Sequence, residues 1–205
     1  MDIIRNRIKM AVNTLGNLRY SHRKQIDHLQ IAEGDYGFRE TVLPEEMTKL
    51  AWKDYQRDET WGGKDKHYWL RAEIFPDREV AGRELRVIVS TGDTDLWNTD
   101  NPQILVYVDG KLKGTMDMNH QELILTDGES VHKKYELLFY AYSNNSAKTN
   151  FFHVDMAVYE REVAELYYDL KVPFEAGELL GEEDLERIEA WKVLNDSIRL
   201  LDFLR

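Results

Sequence analysis

The chain has 205 residues, with 27 Lys plus Arg against 38 Asp plus Glu for a formal net charge of -11, and 42% of it is hydrophobic. That is material for one core with an appendage, which excludes a disordered or low-complexity chain. The acid excess repels phosphate backbones and anionic lipid, so nucleic-acid and membrane-surface roles have no electrostatic footprint. The lack of any cysteine removes disulfides, thiolate metal sites and cysteine nucleophiles.

No apolar run approaches the roughly 20 residues that cross a bilayer, and the N-terminus lacks the apolar stretch and cleavage site of a signal peptide. With the missing cysteines, this reads as cytoplasmic. The start, MDIIRNRIKMAVNTLGNLRY, sets Ile4, Ile8, Ala11, Leu15 and Leu18 on one stripe at helical spacing. A docked helix is favoured over a mitochondrial presequence, because the helix pattern runs on into a mixed-charge stretch from Arg19 to His28. From Ile31 to Thr60 the periodicity fades around Gly34, Gly37 and Pro44, predicting an irregular connector with a short helix over Pro44 to Leu50.

The middle of the chain changes rhythm. Short runs rich in β-branched and aromatic residues, Tyr68 to Phe75, Leu85 to Thr91, Ile104 to Val108, Glu122 to Thr126, Tyr135 to Tyr142 and Phe151 to Tyr159, alternate with turn clusters and predict antiparallel strands. Asp109-Gly110 supplies two positive-φ positions for a type I′ hairpin that joins ILVYV to KLKG. In LRVIVS, Leu85, Val87 and Val89 share one face while Arg86, Ile88 and Ser90 share the other, as two stacked sheets require. After Glu160 the period returns to 3.6 through Val163, Leu166, Tyr167 and Leu170, up to a Pro173 that should kink or end the helix. A last helix opens on Glu182, Glu183 and Asp184 and carries Leu185, Ile188, Trp191, Asn195, Ile198 and Leu201, pairing with the one before it around Gly181. The expected fold is mainly β, an antiparallel β-sandwich with an N-terminal helix and a C-terminal helix pair. Its expected parts are residues 1–59 as helix and connector, 60–161 as the sandwich and 162–205 as the helical segment.

Chemistry is sparse. His153 and Asp155, two apart on a strand, point the same way, but zinc wants three or four ligands and none complete the set, so a hydrogen-bonded surface pair is favoured. Asp117, Asn119 and His120 gather polar side chains at a hairpin end and are the candidate ligand-binding residues, suited to sugar hydroxyls. The alternative is an Asx-type turn that satisfies its own backbone. The pairs Asp93 with Asp95 and Glu45 with Glu46 have glycosidase composition but read as loop and helix-start acids. Trp61, Tyr68, Trp69 and Trp97 suit packing better than sugar stacking. No phosphate loop and no nucleophile elbow occurs. The residues alone describe a binding or assembly module.

Four segments in order sharpen this: TWGGKDKHYWLRAEIFP (Thr60 to Pro76), ILVYVDGKLKGTMDMNHQELILT (Ile104 to Thr126), YELLFYAYS (Tyr135 to Ser143) and ELYYDLKVP (Glu165 to Pro173). Together they resemble the N-terminal region of α-mannosidases of glycoside hydrolase family 38, cytosolic and bacterial branch, with one residue more between Gly114 and Asp117 than the family pattern. The resemblance implies a galactose-binding, jelly-roll-like sandwich ahead of a zinc-dependent retaining catalytic domain that cleaves terminal α-mannosides. Its zinc-binding His-x-Asp followed by Trp would come after the helix resembled by Glu182 to Leu204. His153-Val154-Asp155 precedes the Leu-Tyr-Tyr-Asp-Leu helix and lacks that Trp, so the zinc role does not transfer to it.

The expectation is therefore a noncatalytic domain, inactive alone, with no catalytic residue, metal ligand or cofactor of its own. Zinc is implied only for the catalytic domain outside this sequence. Expected partners are that domain, a mannoside or oligosaccharide and, in the full enzyme, further copies of the chain. The alternatives are a free-standing carbohydrate-binding module and an oligomerisation scaffold.

Overall fold

A computed structural model describes residues 2–35, 40–92, 102–128, 134–144 and 150–201. The chain divides into two compact units, one of residues 1–21 with 159–205 and one of residues 22–158.

The larger unit is two antiparallel sheets. Its strands are β1 (Tyr20–Gln25), β2 (Leu29–Glu33), β3 (Lys53–Tyr55), β4 (Lys66–Ile74), β5 (Leu85–Ser90), β6 (Gln103–Val108), β7 (Lys111–Met116), β8 (Glu122–Thr126), β9 (Tyr135–Ser143) and β10 (His153–Tyr159). One sheet has the order β1-β10-β5-β8 and the other β3-β2-β4-β9-β6-β7. The β-sandwich expectation holds, and the strands read from the sequence at β4, β5, β6, β8, β9 and β10 lie within about two residues of their predicted bounds. The Asp-Gly hairpin is present, with Asp109 at φ 50° and Gly110 at φ 77°, and Val108 stands opposite Lys111.

Two readings of the N-terminal third are corrected. The stretch after Leu18 is not helix: Tyr20 to Gln25 forms β1, whose last four residues are exposed and whose first two are half-buried. The supposed connector contains β2 and β3, and Leu29, Ile31 and Tyr55 sit in the sandwich core. Only the four-residue helix α2 (Pro44–Met47) matches the expectation there.

Alternation does the sorting. Tyr68, Leu70, Ala72 and Ile74 of β4, with Tyr135, Leu137, Phe139 and Ala141 of β9, face Val87, Val89, Val154, Met156 and Val158 across the core. Trp61 and Phe152 close it, ring centroids 6.2 Å apart and edge to face, and the Trp61 indole N–H donates to the Phe151 carbonyl at 3.1 Å. On the outer side of the six-stranded sheet a second cluster forms from Val42, Met47, Trp69, Tyr107 and Tyr140. Residues 40–42 lie along the free edge of β7, where the Leu112 N–H donates to the Glu40 carbonyl and the Val42 N–H to that of Gly110.

The smaller unit is three helices, α1 (Asp2–Leu18), α3 (Arg161–Glu178) and α4 (Leu185–Ile198). The expected pair of C-terminal helices is completed by α1: Ile8, Ala11, Val12 and Leu15 bury against Leu170, Phe174, Trp191, Leu194 and Ile198. Pro173 does not end α3, which continues to Glu178. The carbonyl four residues back belongs to exposed Asp169, where water can replace the missing N–H. The helical pattern puts Leu185 on the buried stripe of α4, yet it is exposed, and Arg187 is buried instead. Its guanidinium lies 4.2 Å from the Trp191 ring centroid and donates to the Leu180 carbonyl at 3.0 Å. Arg5 forks onto Glu178, and that hydrogen bond holds the Glu178 carboxyl below the usual range against the opposing effect of burial. Among the described residues no helix is long and apolar enough to cross a membrane.

Gly177 gives the helical unit a sensitive test. A Cβ there would lie 2.6 Å from Trp191 Nε1, and Trp191 is 1% exposed and cannot withdraw. Alanine normally gains about 1 kcal/mol over glycine inside a helix, whereas overpacking a filled core costs about 1 to 3 kcal/mol. Gly177→Ala is therefore expected to destabilise this unit by about 1 to 2 kcal/mol in denaturant titration, and a gain in stability would show that Trp191 is free to move.

Candidate functional site

The Asp117 turn follows β7 at one end of the six-stranded sheet. Met118 is buried and anchors it, while Asp117, at 40%, and His120, at 79%, have exposed side chains. One Asp117 oxygen, Oδ1, accepts from the backbone N–H groups of Asn119 and His120, both at 2.8 Å, and lies 3.1 Å from His120 Nδ1. The Asp117 N–H donates back to the His120 carbonyl at 3.2 Å. The three predicted residues are thus brought together, in the geometry of the Asx-type turn. Partial burial pushes the Asp117 carboxyl up, but the His120 and Asn119 amides and the His120 ring outweigh it and hold the group below the ordinary carboxylate range. Such a turn is preformed, and it keeps Asn119 and His120 accessible to a ligand.

The other candidates separate. His153 Nε2 donates to the Arg57 carbonyl at 3.1 Å, while Asp155 takes the Arg23 guanidinium at 2.6 Å, so the two are used by different neighbours. Glu45 and Glu46 are the first-turn acids of α2. Trp61, Tyr68 and Trp69 are packing residues. Asp93, Asp95 and Trp97 lie outside the described residues. No group of three or more His, Asp or Glu able to hold a metal ion occurs among the described residues.

Sequence reasoning missed a second polar cluster at the same end of the same sheet. Asp35 follows β2, Asp65 precedes β4, His67 is the second residue of β4, and Tyr140 and Tyr142 lie near the end of β9. The Tyr140 hydroxyl donates to Asp35 Oδ1 at 3.0 Å and lies 2.7 Å from His67 Nδ1. Because a carboxylate only accepts, the phenol proton goes to Asp35, and the short contact is then a donation from His67 Nδ1–H, which leaves the lone pair of a neutral ring on Nε2. The His67 ring stacks on Tyr140 at 5.3 Å and 13° and lies 4.9 Å from Tyr142, whose hydroxyl donates to Asp65 at 2.9 Å. That hydrogen bond raises the Tyr142 phenol above its ordinary value. The only sequence signal was the alternation of β4 and β9 itself, which puts His67, Tyr140 and Tyr142 on the face away from the core.

No protein-family model matches the chain, and no curated protein matches it. Among solved structures it is distantly similar to glycosidases. A Bacteroides fragilis protein assigned as a β-galactosidase matches at 13% identity over 66% of this chain and 23% of that one, with a TM-score of 0.45. A family 2 β-galacturonidase from Eisenbergiella tayi matches at 12% over 68% and 25%, TM-score 0.42. A β-glucuronidase from Ruminococcus gnavus matches at 10% over 69% and 30%, TM-score 0.43. The chain spans less than a third of each of these proteins, and at these values the likeness assigns neither family nor activity.

The turn makes a pH prediction. A carboxyl held low in the folded chain contributes stability above its unfolded value, near 3.9, and loses it as pH falls through the lower folded value. The exposed position keeps that contribution small through solvent screening. The amide resonances of Asn119 and His120 are expected to titrate together with a midpoint below about 3.9, and in Asp117→Ala both shifts should stay flat over that range. A midpoint at or above the ordinary aspartate value would show that the turn is not closed by this carboxylate.

Proposed function

We propose that this chain is the noncatalytic N-terminal part of an α-mannosidase of glycoside hydrolase family 38, a carbohydrate-related β-sandwich that packs on the catalytic domain and shapes substrate approach. The observation that carries this reading is the ordered set of four motifs, each at a point where the sandwich and the helical unit need those residue types. The Trp-Gly motif supplies the core indole Trp61 and runs into β4. VYVDGK is the β6–β7 hairpin, GTMDMNH the end of β7 and the closed turn after it, and YELLFYAYS is β9. ELYYDLKVP lies in α3, where Leu170 is buried. Exposed apolar side chains on the helical unit, Leu179, Leu185, Val193 and Leu200, support an apposed domain or a further copy of the chain.

The resemblance assigns the zinc of such an enzyme to its catalytic domain, and among the described residues no group of three or more His, Asp or Glu able to hold a metal ion occurs. What the chain's own residues offer is a preformed polar turn and a packed sandwich. The isolated chain is expected to leave 4-nitrophenyl α-D-mannoside unhydrolysed with or without added zinc, and turnover above buffer would overturn the noncatalytic reading. Reading the gene beyond the Arg205 codon tests the parent: an open frame running into His-x-Asp followed by Trp supports it, and a stop codon leaves the free-standing carbohydrate-binding module. In the full enzyme His120→Ala is expected to lower kcat/KM for mannobiosides by about threefold to tenfold, the worth of one hydrogen bond. Unchanged hydrolysis would move the turn away from the sugar site.

A further inference from the structure

The hydrogen-bonding registers align four strands at the end of the six-stranded sheet where both polar clusters lie. His67 of β4 stands opposite Tyr142 of β9, and Tyr142 stands opposite Gln103 of β6. Ile104 pairs with Met116 of β7, so continuing that register by one residue sets Asp117 opposite Gln103. Directly opposed residues share a face of the sheet. His67, Tyr142, Gln103 and Asp117 therefore form one row across β4, β9, β6 and the end of β7, about 14 Å long at the usual strand spacing. The row is on the face away from the sandwich core. Trp69 and Tyr140 on that face are buried under Val42 and Met47, whereas His67, Tyr142 and Asp117 are only half-buried and Gln103 is exposed.

We propose that this row is a binding strip for a short neutral oligosaccharide, with Asp65 beside one end and Asn119 and His120 beside the other. Sugar hydroxyls both donate and accept, and the row offers both kinds of partner. The Gln103 amide donates and accepts. The Tyr142 oxygen, once its proton is given to Asp65, accepts, as do the second Asp65 oxygen and the His67 Nε2 lone pair. The tautomer of His67 is fixed by the Tyr140–Asp35 relay, so this acceptor is set before any ligand arrives. An organic cation would instead need open aromatic faces, and the His67 ring already stacks on Tyr140 and leans 4.9 Å from Tyr142. The Lys66 ammonium, the nearest cation in sequence, is paired with Glu33.

The ligand class rests on the carbohydrate reading above, while the position of the strip rests on strand register alone. The test is a titration of the whole chain with mannobiose, with cellobiose and with lysine methyl ester, followed by amide and imidazole nitrogen shifts. Expected is saturable movement at His67, Gln103, Tyr142 and Asp117 with a disaccharide. Gln103→Ala and Tyr142→Phe should each weaken binding by about threefold to tenfold at unchanged melting temperature. Asp155→Asn, on the other sheet, should leave it unchanged. Saturation by cellobiose but not mannobiose would uphold the strip and count against the α-mannosidase reading. Mannobiose binding that moves other residues, or is indifferent to both variants, would overturn the strip and leave that reading standing. No disaccharide binding, or binding of lysine methyl ester alone, would overturn the strip as well.

Discussion

The pairing of β4 with β9 is the constraint on which the larger unit depends. Both strands are nine residues long and stay in register from Lys66 opposite Ser143 to Ile74 opposite Tyr135. Side chains alternate between faces, so a slip of one residue would send Leu70 and Phe139 outward and bring His67 and Tyr142 into the core. Burying that imidazole and that phenol without their partners would cost roughly 1 to 3 kcal/mol for every orphaned polar group. The apolar inner face thus also fixes the polar outer one, and the tautomer of His67 follows from core packing two residues away.

The helical unit is organised differently. Its apolar centre is closed at one end by charge: Arg187 is buried against Trp191, and Glu178 takes Arg5 in a fork with Arg187 beside it. A buried guanidinium is tolerable only with such partners, since an isolated charge there would be strongly destabilising. Arg19 plays a similar part nearer the surface, with its guanidinium 4.3 Å from the Tyr167 ring centroid and bonded to the Tyr168 hydroxyl. The Tyr-Tyr pair of α3 is thus a platform for a cation within its own unit.

Much of the sandwich was legible because alternation is a strong signal when one face is fully buried, as in Leu85, Val87 and Val89. The Asp109-Gly110 turn was legible because few residue pairs accept two positive φ angles. β1 was not, because YSHRKQ is an edge strand with no buried face, and its charges read as helix surface. β3 has three residues, too few for any period. Arg187 was missed because a buried cation breaks the apolar stripe, and the exposed Leu185 supplied a false one. At the candidate site, the local cluster of Asp117, Asn119 and His120 could be read, since its members are neighbours in sequence. The alignment of Asp117 with Gln103, Tyr142 and His67 could not, because it exists only once three separate strand pairings are known.

One consequence of the core of the helical unit is optical. Of the five tryptophans, Trp191 belongs to the helices, Trp52, Trp61 and Trp69 belong to the β unit, and Trp97, outside the described residues, is the fourth besides Trp191. Replacing the four by phenylalanine leaves a single emitter, packed on Phe174 at 5.7 Å and under a guanidinium. Its fluorescence then reports the melting of the helical unit without interference from tryptophans of the other.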